Sequence, residues 1–92
     1  MAKARAQLLI SGRVQGVFYR AFTAEKAAEL GLQGWVRNTP AGEVEAVIEG
    51  ERLDLERLLA YLRQGPPAAQ VSGIAVQWLD YRGEFGDFAI RY

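Results

Sequence analysis

A glycine-containing stretch from Gly12 to Arg20 has the residue types and the spacing of an anion-binding site. Its glycines, Gly12 and Gly16, let the backbone turn where a Cβ atom would clash. A helix is predicted to begin directly after this stretch, so unpaired N–H groups and the positive end of the helix dipole lie at the turn. Such a place binds anions, typically phosphate. Arg20, at the junction, adds a planar guanidinium whose donors match a phosphoryl group.

Asn38 is the second polar candidate and stands at the predicted end of a strand. Its carboxamide can accept a hydrogen bond from water and donate one to a phosphoryl oxygen at the same time. An asparagine before a Pro-Gly turn also commonly bonds its own turn, and the residue pattern leaves both interpretations open. Arg20 has an alternative too, as an ordinary surface arginine. However, a cation at a helix N-terminus opposes the helix dipole, which favours a bound anion there.

Other candidates give weaker signals. Phe18 either touches a bound group or packs at the mouth of the loop, and Thr39 either assists Asn38 or serves the turn that follows it. Tyr19 is expected to be a core or sheet-face aromatic. Solvated positions are predicted for two arginines and for a row of strand carboxylates (Arg13, Arg37, Glu43, Glu45 and Glu49).

Composition excludes several kinds of chemistry. The 92 residues include no Cys and no His, so disulfides, thiol nucleophiles, His general bases and Cys or His metal sites are ruled out. The formal net charge is zero, and we therefore expect neither a nucleic-acid nor a membrane partner. No apolar run approaches the ~20 residues of a membrane helix, and the short apolar run after the basic N-terminus is not typical of a signal peptide. We expect a cytoplasmic protein.

Periodicity predicts a chain of alternating strands and helices. The second helix has the clearest pattern, with Leu55, Leu58, Leu59 and Leu62 on one face. Strands are predicted over 4–11, 32–38, 43–50, 71–80 and 88–92, and helices over 21–30 and around 55–62. The order βαββαβ plus a short C-terminal strand predicts an α+β protein with a ferredoxin-like α/β sandwich. We expect one domain, 1–92, with both helices on one face of an antiparallel sheet and the glycine loop close to Asn38.

The motifs together resemble the acylphosphatases along nearly the whole chain. They are the stretch 12–20, Gly34-Trp35-Val36-Arg37-Asn38, the segments 42–45 and 65–67, and the ending 88–92. The resemblance implies the same sandwich fold and the hydrolysis of a carboxylic–phosphoric anhydride to a carboxylate and phosphate. It further implies that Arg20 binds the phosphoryl group, and that Asn38 orients the attacking water. The backbone N–H groups implied to bind phosphate with Arg20 are those of Gln15, Gly16, Val17, Phe18 and Tyr19.

The same resemblance implies no metal and no cofactor, and a small acyl phosphate as the only partner. Acidic strand residues and short sheet edges favour a monomer. Two departures from the family, Ala41 and Gln70, concern a turn and local packing. Two alternatives stay open: a module that binds phosphate without turnover, and a domain like the one that opens hydrogenase-maturation carbamoyl-transfer proteins.

Overall fold

The computed structural model describes residues 2–92, so Met1, at the start of the predicted domain 1–92, lies outside the described residues. The chain forms the predicted elements, with ends shifted by a few residues. In order they are β1 (Lys3–Arg13), α1 (Tyr19–Glu29), β2 (Gln33–Asn38), β3 (Val44–Glu51), α2 (Arg52–Gln64), β4 (Gln70–Leu79) and β5 (Phe88–Arg91).

The strands form a sheet in the order β4-β1-β3-β2-β5. The pairs β1–β3, β1–β4 and β2–β3 are antiparallel, but β5 is parallel to β2. The prediction of a purely antiparallel sheet is therefore wrong at this edge, and the sheet is mixed. The reason is geometric. β4 runs opposite to β2, so it ends where β2 begins, and the short segment 80–87 starts β5 at that same end.

One face of the sheet carries the core. Apolar residues of all five strands lie side by side in a row across it (Val76, Leu8, Ala46, Val36 and Ile90). The predicted leucine stripe of α2 and Thr23 and Ala27 of α1 are buried, and the leucines and Ala27 join the same apolar cluster. Both helices thus cover one face, as the periodicity indicates. No helix formed by residues 2–92 is long and apolar enough to cross a bilayer.

On the opposite face, segment 80–87 covers an ion pair. Glu49 was predicted to be solvated, and this is wrong, because its exposed fraction is 1%. Its Oε2 accepts hydrogen bonds from Arg5 Nη1 at 3.0 Å and from the backbone N–H of Arg82 at 2.8 Å. Burial acts to raise the pKa of Glu49, but these hydrogen bonds and the Arg5 charge outweigh it and hold the pKa below its usual value. A second carboxylate, Glu84, contacts Arg5 at 2.6 Å.

Candidate active site

The conformation of the glycine loop depends on a close backbone contact at its start and on left-handed residues further along. Gly12 has φ 118° and lies at an irregularity in the β1–β4 pairing, where a Cβ atom would collide with the backbone of Gln70. Gly16 has φ 72°, and Phe18 has φ 65°, so the chain turns through two left-handed residues before the helix. Phe18 is the N-cap of α1. The helix therefore begins at Tyr19, two residues before the predicted start at Ala21.

The loop presents backbone donors that have no partner. Within residues 2–92, no backbone or side-chain acceptor is hydrogen-bonded to the N–H groups of residues 15–18. Consecutive free N–H groups in a turn with left-handed residues form a concave anion-binding arrangement. The N-terminus of α1 adds its positive dipole end at the same place. This geometry is typical of anion-binding loops.

Tyr19 anchors the loop to the core. Its side chain is 1% exposed, and its hydroxyl donates a hydrogen bond of 2.6 Å to the carbonyl of Leu62 near the end of α2. Burial raises the pKa of the Tyr19 phenol, so the group stays a protonated donor. The expectation of a core aromatic is met here, and the contact ties the start of α1 to α2.

Arg20 is half-buried and held from the side of β5. Its Nη1 donates to the carbonyl of Arg91 at 3.1 Å, and its guanidinium carbon lies 4.7 Å from the ring centre of Tyr92. A stacked guanidinium with one bonded nitrogen has less freedom to change rotamer. These contacts limit the directions that the remaining donors can take. The sequence contained no signal for them, since they depend on the parallel docking of β5 beside β2.

Asn38 and Arg20 line one cleft of about 340 Å³. It lies between the glycine loop, the start of α1 and the ends of β2 and β5. The Oδ1 atom of Asn38 is buried and has no hydrogen-bond partner among residues 2–92. A buried acceptor without a partner is uncommon in proteins and is typical of a position where water or a ligand binds. The structure thus brings together the two residues that the sequence singled out, while their roles remain predictions.

Gln15 has a function in the structure that the sequence did not indicate. Its side-chain Nε2 donates to the carbonyl of Thr39 at 2.9 Å and to that of Glu43 at 2.8 Å. These carbonyls belong to the turn between β2 and β3, directly after Asn38. The Gln15 side chain therefore links the glycine loop to the turn that follows Asn38.

The weaker candidates Thr39, Arg37 and Arg13 lie in a turn, in an ion pair and at an exposed position, respectively. Thr39 serves the turn, because its Oγ1 accepts from the Glu43 N–H at 3.1 Å. Arg37 is paired with Glu45 at 2.6 Å, and Arg13 is exposed. Across residues 2–92 there is no group of three or more Asp and Glu side chains placed to hold a metal ion.

The fold and the cleft define an α+β sandwich with a loop of unpaired N–H groups, and its similarity to known proteins identifies its family. The Acylphosphatase family model matches residues 6–90, and the chain belongs to the acylphosphatase family. A relative from Pelotomaculum thermopropionicum, named acylphosphatase, is 49% identical over 100% of both chains. The crystal structure of acylphosphatase from Bacillus subtilis matches with a TM-score of 0.94 and 31% identity, over 97% of this chain and 99% of that one.

The fold also occurs inside a much larger protein. The crystal structure of full-length HypF matches with a TM-score of 0.85 and 28% identity. The match covers 99% of this chain but 12% of the HypF chain. The similarity there concerns a small part of a long chain, whereas the Pelotomaculum relative and the Bacillus structure match over nearly their whole length.

Proposed function

We propose that this protein hydrolyses acyl phosphates in the cleft between the glycine loop and Asn38. Membership of the acylphosphatase family and about 50% identity to full-length relatives of that name support the activity. The observation that carries the site is that one cleft combines Arg20, the free loop amides and the unpartnered Asn38 oxygen. Arg20 and the N–H groups of residues 15–19 hold the phosphoryl group, and Asn38 positions the water.

The reaction needs few protein groups. The water oxygen attacks phosphorus while the bond from phosphorus to the acyl oxygen breaks, and the carboxylate leaves with the electron pair. Because a carboxylate is a good leaving group, the reaction does not depend on a strong general acid. The water proton ends on the phosphate, taken up by the substrate's own phosphoryl oxygens. The transition state is loose, with charge spread over those oxygens, so preorganised donors supply most of the stabilisation.

Asn38 supports this scheme through its free acceptor. A water bonded to the buried Oδ1 keeps one hydrogen directed at the protein and turns a lone pair toward the phosphoryl group. The carboxamide acts by orientation, which reduces the entropy that the attack would otherwise cost. A cytoplasmic location and a monomeric state, both expected from the sequence, stay part of this proposal.

The test is phosphate release from benzoyl phosphate by the parent and by matched arginine variants. Arg20→Lys should lower kcat/KM by about 10²–10³, because a point charge does not replace the two-pronged guanidinium. Arg13→Lys, at the exposed last residue of β1, is the control and should change little. An Arg20→Lys enzyme nearly as active as the parent would refute the role of Arg20. Phosphate binding without any turnover in the parent would instead indicate a binding module.

The role of Asn38 is tested with Asn38→Ala in the same assay. We expect kcat to fall while the inhibition constant of inorganic phosphate stays within about threefold, since the loop and Arg20 are intact. Retained activity would show that Asn38 does not position the water.

A further inference from the structure

Phe18 combines two unfavourable features at the mouth of the cleft. It is the one residue other than glycine with positive φ between residues 2 and 92, at φ 65° and ψ 24°. A bulky side chain in this region is a true outlier. The residue is also 81% exposed, whereas Phe22, Phe85 and Phe88 are partly buried. Backbone strain of this kind concentrates at functional sites, where it places a group that packing alone would not place.

Packing does not account for the ring. Phe18 belongs neither to the buried core nor to the partly buried side chains that pack against it. Tyr19, the next residue, is the one that enters the core. The alternative of a packing role at the loop mouth therefore has little support, and the ring is free to contact a bound molecule.

The cleft that Phe18 lines has both polar and apolar residues in its lining. Arg20 and Asn38 are polar, whereas Val14 and Ile90 are apolar like Phe18. An acyl phosphate has the same division, with an anionic phosphoryl group joined to a carbon chain or ring. A ring beside the phosphoryl site is positioned to contact the acyl part.

We propose that Phe18 contacts the acyl group of the substrate and makes the enzyme favour acyl phosphates with an aromatic or large apolar acyl group over those with a small one. This proposal rests on the proposed function and adds the substrate class. The left-handed backbone at residue 18 directs the loop amides to the phosphate and leaves the ring at the entrance. The exposed apolar surface is then covered only when the substrate is bound.

The experiment compares kcat/KM for benzoyl phosphate and acetyl phosphate. Phe18→Asn removes the ring and suits a left-handed backbone, which asparagine tolerates. Phe18→Tyr keeps the ring and is the matched control. We expect Phe18→Asn to lower the benzoyl-to-acetyl ratio about five- to tenfold, the size of one aromatic contact, and Phe18→Tyr to keep the ratio within about twofold. Inhibition by inorganic phosphate should change less than about twofold in both.

The outcomes separate this inference from the proposed function. If Phe18→Asn hydrolyses both substrates with the parent's ratio, or loses both activities equally, Phe18 does not select the acyl group, while the hydrolase assignment stands on the parent's activity. If the parent hydrolyses neither substrate, the proposed function itself is wrong.

Discussion

The hydrogen bonds from Gln15 to the β2–β3 turn allow the stability loss of a Gln15 variant to be predicted in size. Gln15→Met keeps the length of the side chain and removes both donors. Each lost hydrogen bond costs about 1 kcal/mol. The two carbonyls keep other donors, since Thr39 O accepts from Gly42 N at 3.2 Å and Glu43 O accepts from Thr39 N at 2.8 Å. Because neither carbonyl is left without a hydrogen-bond donor, the free energy of unfolding should fall by only the two lost hydrogen bonds, about 1–2 kcal/mol. For a domain of this size, that lowers the thermal midpoint by roughly 5–12 °C.

Gln15→Met should also lower the rate, by an amount similar in free energy to the loss of stability, since a tenfold change in rate corresponds to about 1.4 kcal/mol. The turn that Gln15 holds follows Asn38 directly, and small displacements of a positioned group reduce rates strongly. We expect kcat with benzoyl phosphate to fall about tenfold, while the inhibition constant of inorganic phosphate changes less than about threefold, because the loop N–H groups remain. The assays are phosphate release under saturating substrate and thermal unfolding followed by circular dichroism.

A matched glutamine gives the control for this prediction. Gln7 Nε2 makes one side-chain hydrogen bond, to Glu45 at 3.1 Å, on the sheet face opposite the helices. Gln7→Met should destabilise the protein less than Gln15→Met and leave kcat unchanged. If Gln15→Met keeps the parent's kcat, the turn holds Asn38 without help from Gln15. If its thermal midpoint is also unchanged, the two hydrogen bonds do not contribute in solution.

Three further predictions concern stability and metal dependence. Since the folded protein lowers the pKa of Glu49 from 4.5, the stability that this carboxylate supplies is complete above about pH 4.5 and is lost as the pH falls through the lowered value. The free energy of unfolding of Glu49→Gln should therefore decrease less than that of the parent as the pH is lowered, and it should be about 2 kcal/mol smaller at pH 7. If the unfolding free energies of variant and parent decrease in parallel with acid, this prediction is contradicted. Tyr19→Phe removes the hydrogen bond to the Leu62 carbonyl and should lower the free energy of unfolding in urea by about 1–2 kcal/mol, with nearly unchanged kcat. A variant that loses activity but keeps the parent's stability would refute the anchoring role. Dialysis against EDTA should leave phosphate release unchanged, and a loss restored by Mg²⁺ would contradict the metal-independent scheme.

Local pattern was enough to predict most of the fold. The leucine spacing in α2 and the alternation in β1 and β3 identify which side chains face the core between helices and sheet, because burial on one face imposes a fixed period. The loop was also predictable, since glycine spacing and the following arginine are contiguous in the chain. Family membership then agreed with the motifs that the sequence presents in order.

What could not be predicted depends on contacts between distant segments. The direction of β5 follows from where β4 ends, which a strand pattern does not specify. Glu49 alternates with apolar residues as an exposed residue would, yet segment 80–87 covers it and supplies a backbone donor through Arg82. Likewise, nothing in the residue types near Arg20 indicates that a carbonyl from β5 holds it. Side-chain roles set by such contacts are visible only in three dimensions.

The hydrogen bond from Arg20 to β5 has a consequence for how the protein folds. The contact between Arg20 and the Arg91 carbonyl spans 71 positions of the chain. Closing so long a loop is entropically costly, and contacts of this kind make folding slow. A partly folded chain with β5 undocked could bury most of its apolar core and show nearly full secondary structure, yet leave the guanidinium unconstrained. Given the role proposed for Arg20, catalytic competence is therefore a stricter criterion of complete folding in this protein than any spectroscopic signal from its core.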